Sequence, residues 1–176
     1  MKNEDLCEET SKNFGVLFSD AIISYAVNRL ANLARKHGDI YVYQFDYKGI
    51  FTEAKRNVGY DVDCGVVHAD DLQYLFSTNV APRYTPEDKE HKMVDTLTSI
   101  YVNFATYGYV FLKWNLLLFI NPYDFRNPNF NQTLTWEPSD DKNLKVFHIN
   151  EDFKVGDSLI PNERYQIWED LINGKH

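Results

Sequence analysis

The sequence predicts an α/β fold on three observations. First, the run Ile40–Phe45 (IYVYQF) is almost wholly apolar or aromatic, as in a strand buried on both faces of a parallel sheet, and Leu144–Ile149 (LKVFHI) reads as a further strand. Second, the stretches around these runs carry apolar residues at the three- and four-residue spacing of helices, so strands and helices alternate. Third, aromatic residues make up 15% of the 176 positions, with 12 Tyr and 12 Phe, which argues for a packed core rather than disorder.

In chain order, Ser19-Asp20 is a capping pair for a helix running to about His37, with Gly38 as its stop. Ile23, Ala26, Val27, Leu30, Leu33 and Ala34 form its expected buried face. The strand Ile40–Phe45 ends at Asp46-Tyr47-Lys48-Gly49. After a polar connector, Cys64–Val67 reads as a second short strand, with His68 directly after it and Asp70-Asp71 opening a helix. Thr85-Pro86-Glu87-Asp88 reads as a helix start, with a capping Thr and Pro at the first helical position. Met93, Leu97, Ile100, Tyr101 and Phe104 mark that helix's buried face, and Gly108 its stop. A loop rich in Asn, Asp and Pro spans Asn121–Pro138. After the strand Leu144–Ile149, Pro161 starts a last helix with Tyr165, Trp168 and Leu171 apolar and Gly174 ending it. Three short strands make a small sheet for this length, so the simplest expectation is that more of the sheet precedes residue 1.

Charge and composition exclude several classes. A net charge of -8 repels phosphate backbones, which argues against a nucleic-acid partner, and no basic cluster suits a membrane surface. The polar start MKNEDLCEETSKNF lacks the apolar region of a signal peptide. The apolar run Tyr109–Ile120 falls well short of the ~20 residues that span a bilayer. Cys7 and Cys64 allow at most one disulfide. Asp61, Asp63, Cys64, His68, Asp70 and Asp71 cluster in sequence, but fit neither a calcium loop nor zinc spacing, so no metal or cofactor is implied.

The segment Gly65-Val66-Val67-His68-Ala69-Asp70-Asp71-Leu72-Gln73-Tyr74-Leu75-Phe76 resembles the stretch around the triad histidine of carboxylesterases and cholinesterases, in the form found in insect-type (type-B) carboxylesterases. Further pieces agree in the family's order. Ser19-Asp20 precedes Tyr41–Gly49. Met93-Val94-Asp95, Asn103–Gly108, Trp136-Glu137-Pro138, Leu144–Ile149 and Glu163–Trp168 follow. The resemblance covers the chain after about the first ten residues. It implies that 1–176 is the C-terminal portion of a single carboxylesterase domain of the cholinesterase-like class, with an α/β-hydrolase fold. It also implies that His68 is catalytic, taking the serine proton and returning it to the leaving alkoxide of a small-molecule carboxylic ester. The family's Phe-Ala-x-x-Gly stretch usually runs straight into Asn-Pro. Here residues 109–120 intervene, and they read as an insertion, with translated non-coding sequence as one source.

The absences carry equal weight. No Gly-x-Ser-x-Gly elbow and no Gly-Gly run for an oxyanion hole occur among the eight glycines. The resemblance places the acidic triad member well upstream of the 67 residues before His68. The chain alone is therefore expected to be inactive. Two other readings stand beside the enzyme: a non-catalytic esterase-like binding or adhesion protein, and a degenerate gene-model fragment.

Without the motif, His68 would be read as an ordinary hydrogen-bonded histidine. Asp70 and Asp71 read as helix N-terminal residues, either of which could orient the loop, and not as the triad acid. Cys64 reads as a small core residue rather than a nucleophile. Asn131-Gln132-Thr133 matches a glycosylation triplet, a pattern frequent by chance. His37, His91, His148 and His176 show no partner pattern.

Overall fold

The computed structural model describes residues 12–54, 65–77, 81–107, 136–140 and 143–175. Cys7, Asp61, Asp63, Cys64, residues 109–120 and the Asn131 triplet lie outside them. The described residues form two compact units. One draws on Met1–Val42, Pro138–Val146 and Gly156–His176, the other on Tyr43–Glu137 and Phe147–Val155.

In the first unit, residues 12–19 are helical, a π-helical turn spans Asp20–Ser24, and α1 covers Tyr25–Ala34. The expected start at Ser19 is not observed. Its backbone is already helical and its side chain caps nothing. Asp20, instead of opening a helix, is buried and pairs with Arg164 at 2.8 Å. The buried face of α1 also differs from the predicted stripe. Tyr25, Asn28 and Ala31 are buried, whereas Ile23, Val27, Leu30 and Leu33 are exposed, Leu30 to 66%.

The reason lies in the partners that Tyr25, Asn28 and Ala31 find. Tyr25 donates to Glu169 at 2.8 Å, and Asn28 accepts from the Leu159 amide at 3.3 Å. Ala31 packs with Val42, Leu144 and Val146. Periodicity shows that an apolar stripe exists. It does not show which face the neighbours cover.

The closing helix, α4 (Asn162–Ile172), begins after Pro161 and ends on Gly174 at φ +66°, as predicted. The Lys175 amide returns to the Asp170 carbonyl at 2.8 Å and the Gly174 amide to Leu171 at 3.3 Å, a glycine-terminated stop. Tyr165 and Trp168 are half-buried, each ring tilted against Tyr25, while Leu171 is exposed.

A three-stranded sheet in the order β1 (Val42–Phe45), β2 (Val146–Ile149), β3 (Lys154–Gly156) runs mainly through the second unit. β1 and β2 lie inside the two predicted runs. Only Val42 of β1 is buried, so the expectation of burial on both faces does not hold there. β3 is short and exposed, and nothing in its composition announced it. Gly65–Val67 is not a strand, contrary to the sequence reading. Gly65 sits at φ +69°, and the Val67 amide bonds to a side chain instead of a neighbouring strand.

α2 (Leu72–Leu75) is a single turn packed against α3 (His91–Tyr107). α3 starts later than predicted. Thr85–Asp88 closes its own turn, with the Thr85 amide on the Asp88 carboxylate at 2.6 Å and the Asp88 amide on the Thr85 carbonyl at 2.9 Å. Met93, Leu97 and Ile100 of α3 are buried as predicted. Tyr101 and Phe104 are exposed, and Asn103 is buried instead.

Candidate active site

His68 lies on a turn in the second unit, and its side chain is exposed. Among the described residues, its imidazole has no hydrogen-bond partner. The turn is closed twice. The Asp70 amide donates to the Val67 carbonyl at 3.2 Å, and the Val67 amide donates to the Asp70 carboxylate at 2.9 Å. Residues 68 and 69 are pinched between these two bonds. The closure places Ala69 at φ +73°, the left-handed region that side chains disfavour.

Asp70 is 4% exposed, and its two oxygens serve different donors. Oδ2 accepts from Val67 and from the Thr52 hydroxyl at 3.0 Å, while Oδ1 accepts from the Glu53 amide at 2.7 Å. The Thr52 hydroxyl also receives the Ala54 amide at 3.2 Å. Gln73 adds a second tie between the same segments. Its amide nitrogen donates to the carbonyls of Phe51 at 3.1 Å and Asp70 at 3.0 Å, and its oxygen accepts the Tyr84 hydroxyl at 2.5 Å.

Asp71 works in another direction. It flanks α2 without capping it, and its carboxylate accepts the Tyr43 hydroxyl of β1 at 2.8 Å. The Tyr101 hydroxyl lies 2.7 Å from the Tyr43 oxygen and supplies the next proton in the chain. Burial, then these hydrogen bonds, push the Tyr43 hydroxyl well above the ordinary tyrosine range, so it stays a neutral donor. Its ring meets Tyr101 and Trp136 edge-on, and Trp136 stacks on Phe147 at 4.8 Å.

The two predicted helix-opening carboxylates are therefore braces of the His68 turn. Neither bonds to the imidazole. Thr52 and Tyr43 were not singled out from sequence as partners of these carboxylates, because they meet Asp70 and Asp71 only through the tertiary fold.

Away from His68, an acid–histidine pair joins β2 to the residue that follows β1. His148 Nδ1 lies 2.6 Å from Asp46 Oδ2, and Gln44 donates to the other Asp46 oxygen at 2.8 Å. This corrects the reading that His148 has no partner. The two residues are far apart in sequence, and the bond from the Asp46 amide to the Ile149 carbonyl sets their register. The same correction applies to His91, which lies 3.7 Å from Asp95, one helical turn on, a spacing the sequence reading passed over.

Comparison with known proteins adds to this geometry. The carboxylesterase family model matches residues 1–168. Juvenile hormone esterase of Tribolium castaneum is 28% identical over 159 residues, 86% of this chain and 25% of its own length. Esterase cest-33 of Caenorhabditis elegans is 31% identical over 104 residues, 58% of this chain and 17% of its own length. Among solved structures, juvenile hormone esterase from Manduca sexta with OTFP covalently attached superposes with a TM-score of 0.57 at 23% identity. That match covers 86% of this chain and 26% of the Manduca chain, so this chain spans about a quarter of the length of its relatives, or less.

Proposed function

Because the chain belongs to the carboxylesterase family and carries part of the α/β-hydrolase fold, we propose that it supplies the histidine of a serine carboxylesterase, with His68 as general base and acid. The observation that supports this is the presentation of His68. An exposed imidazole, with no hydrogen-bond partner among the described residues, sits on a doubly closed turn inside the family's histidine motif.

In the proposed reaction, one imidazole nitrogen takes the proton of a serine hydroxyl as its oxygen attacks the ester carbonyl. The imidazolium then protonates the departing alkoxide, and an acyl-serine remains. Water repeats the sequence, yielding carboxylate and alcohol. The serine, the orienting carboxylate and the oxyanion donors come from outside these 176 residues, which contain no Gly-x-Ser-x-Gly. The substrate class is small carboxylic esters. Residues 109–120 are an insertion relative to the family pattern.

The test begins with the full-length transcript. An in-frame extension encoding the serine elbow is expected, and in that polypeptide His68→Ala should lower ester hydrolysis by on the order of ten-thousandfold. The 176-residue chain alone should not accelerate hydrolysis of a nitrophenyl ester. A transcript without the serine, or a His68→Ala enzyme with unchanged turnover, overturns the proposal. The first outcome leaves a non-catalytic relative.

A further inference from the structure

We propose that Asp70 is the positioning residue of His68: a buried carboxylate that fixes the backbone on which the imidazole stands. The inference rests on the reading of His68 as the triad base. Its physical basis is the allocation of donors around Asp70. Three donors converge on its two oxygens, and none of the three belongs to a charged side chain. Two are backbone amides, one from the segment entering the His68 turn and one from the segment at residues 52–53. The carboxylate therefore acts in two ways. It closes the turn from within, by receiving the Val67 amide while its own amide returns to the Val67 carbonyl. It also anchors that turn to a second stretch of chain.

The same arrangement explains how a non-glycine residue holds φ +73° at Ala69. Such a conformation persists where surrounding bonds over-determine it, and the bonds here are those of Asp70. Asp71, next in sequence, ties the same segment to Tyr43 of β1, so neighbouring carboxylates anchor the His68 turn to two other stretches of chain.

The geometry makes one substitution diagnostic. Asparagine is nearly the same shape as aspartate, but one of its two terminal atoms is an N–H donor group. In either orientation that group faces a backbone amide, Glu53 at the Oδ1 position or Val67 at the Oδ2 position. Asp70→Asn therefore fills the site yet sets donor against donor. A residue acting only as a favourable charge before a helix would tolerate the change far better.

In the 176-residue chain, Asp70→Asn should speed amide hydrogen exchange at Val67 or Glu53 by roughly tenfold to a hundredfold, the ratio that matches loss of one charge-assisted hydrogen bond. The Asp46 amide, bonded to Ile149 on the sheet, should be unchanged. Thr52→Val removes only the hydroxyl donor, and should give a smaller effect at the same two amides. It serves where Asp70→Asn does not fold. Unchanged exchange at both amides in these variants overturns the bracing role.

In an esterase carrying this chain, Asp70→Asn should lower kcat by on the order of a hundredfold, the effect of a displaced catalytic group, with KM held. Loosened amides with kcat and KM both unaltered overturn the positioning role and leave a structural one. His68→Ala run in parallel separates the two ideas. If that variant stays active, the triad reading fails, while the exchange result still decides whether Asp70 holds the turn.

Discussion

Replacing Gly49 with alanine tests the packing that lies behind the His68 turn. A Cβ at position 49 would stand 2.0 Å from the Tyr74 hydroxyl oxygen, 3.3 Å from Tyr74 Cζ and 3.5 Å from Tyr47 Cε1. The first distance is short of a normal contact by about 1 Å or more. Tyr74 has little room to retreat, since it is 2% exposed and its ring is stacked on Tyr84 and packed against Phe45 and Tyr47. Overpacking of this kind costs about 1–3 kcal/mol, which for a chain of this size lowers Tm by roughly 2–10 °C.

The clash resides in one atom, so Tyr74→Phe should relieve it. Among the described residues that buried hydroxyl makes no hydrogen bond of good geometry, so its removal alone should change stability by only about 1 kcal/mol in either direction. In thermal unfolding followed by circular dichroism, the double variant Gly49→Ala/Tyr74→Phe should recover most of the loss. The coupling between the two sites should be on the order of 1–2 kcal/mol. An unchanged Tm in Gly49→Ala, or two effects that simply add, would refute the steric reasoning.

Two further predictions concern backbone strain and pH. The left-handed backbone at Ala69 costs about 1–2 kcal/mol, so Ala69→Gly should leave stability unchanged or raise it by up to about 1 kcal/mol once unfolded-state entropy is counted. Ala69→Val should lower it, and thermal melts of the three proteins decide the order. Glu169 is held below the ordinary glutamate value of 4.5, first by the Tyr25 hydroxyl and then by that of Tyr165. A lowered folded-state pKa means that this contribution is fully present above pH 4.5 and is lost as pH falls through the folded value below it. The Tm advantage of the parent over Glu169→Gln should therefore shrink on going from about pH 7 to about pH 3. A difference independent of pH would show that the carboxylate charge is not what joins Tyr25 of α1 to α4.

What could be read in the linear sequence was local. IYVYQF and LKVFHI enclose β1 and β2 because dense β-branched and aromatic residues favour extended, covered backbone wherever they fall. Pro161 and Gly174 bracket α4 because fixed φ and free φ are properties of single residues. Met93, Leu97 and Ile100 lie on the buried side of α3, in keeping with their spacing, although Tyr101 and Phe104 of the same predicted stripe are exposed. The motif around His68 was legible for the same reason: it is contiguous.

Tertiary structure decided whatever depends on a distant partner. The buried face of α1 is Tyr25, Asn28 and Ala31, because Glu169, Leu159, Val42, Leu144 and Val146 meet that side of the helix and leave Leu30 and Leu33 exposed. Gly65–Val67 is a turn rather than a strand because the Asp70 carboxylate takes the amide of Val67. Asp46 and His148 pair only because β1 and β2 align in one register. Asp70 and Asp71 looked like helix-opening charges, since sequence shows a residue's charge but not the direction of its side chain. Three donors folded around Asp70 and one tyrosine beside Asp71 turn those charges into the frame that holds His68.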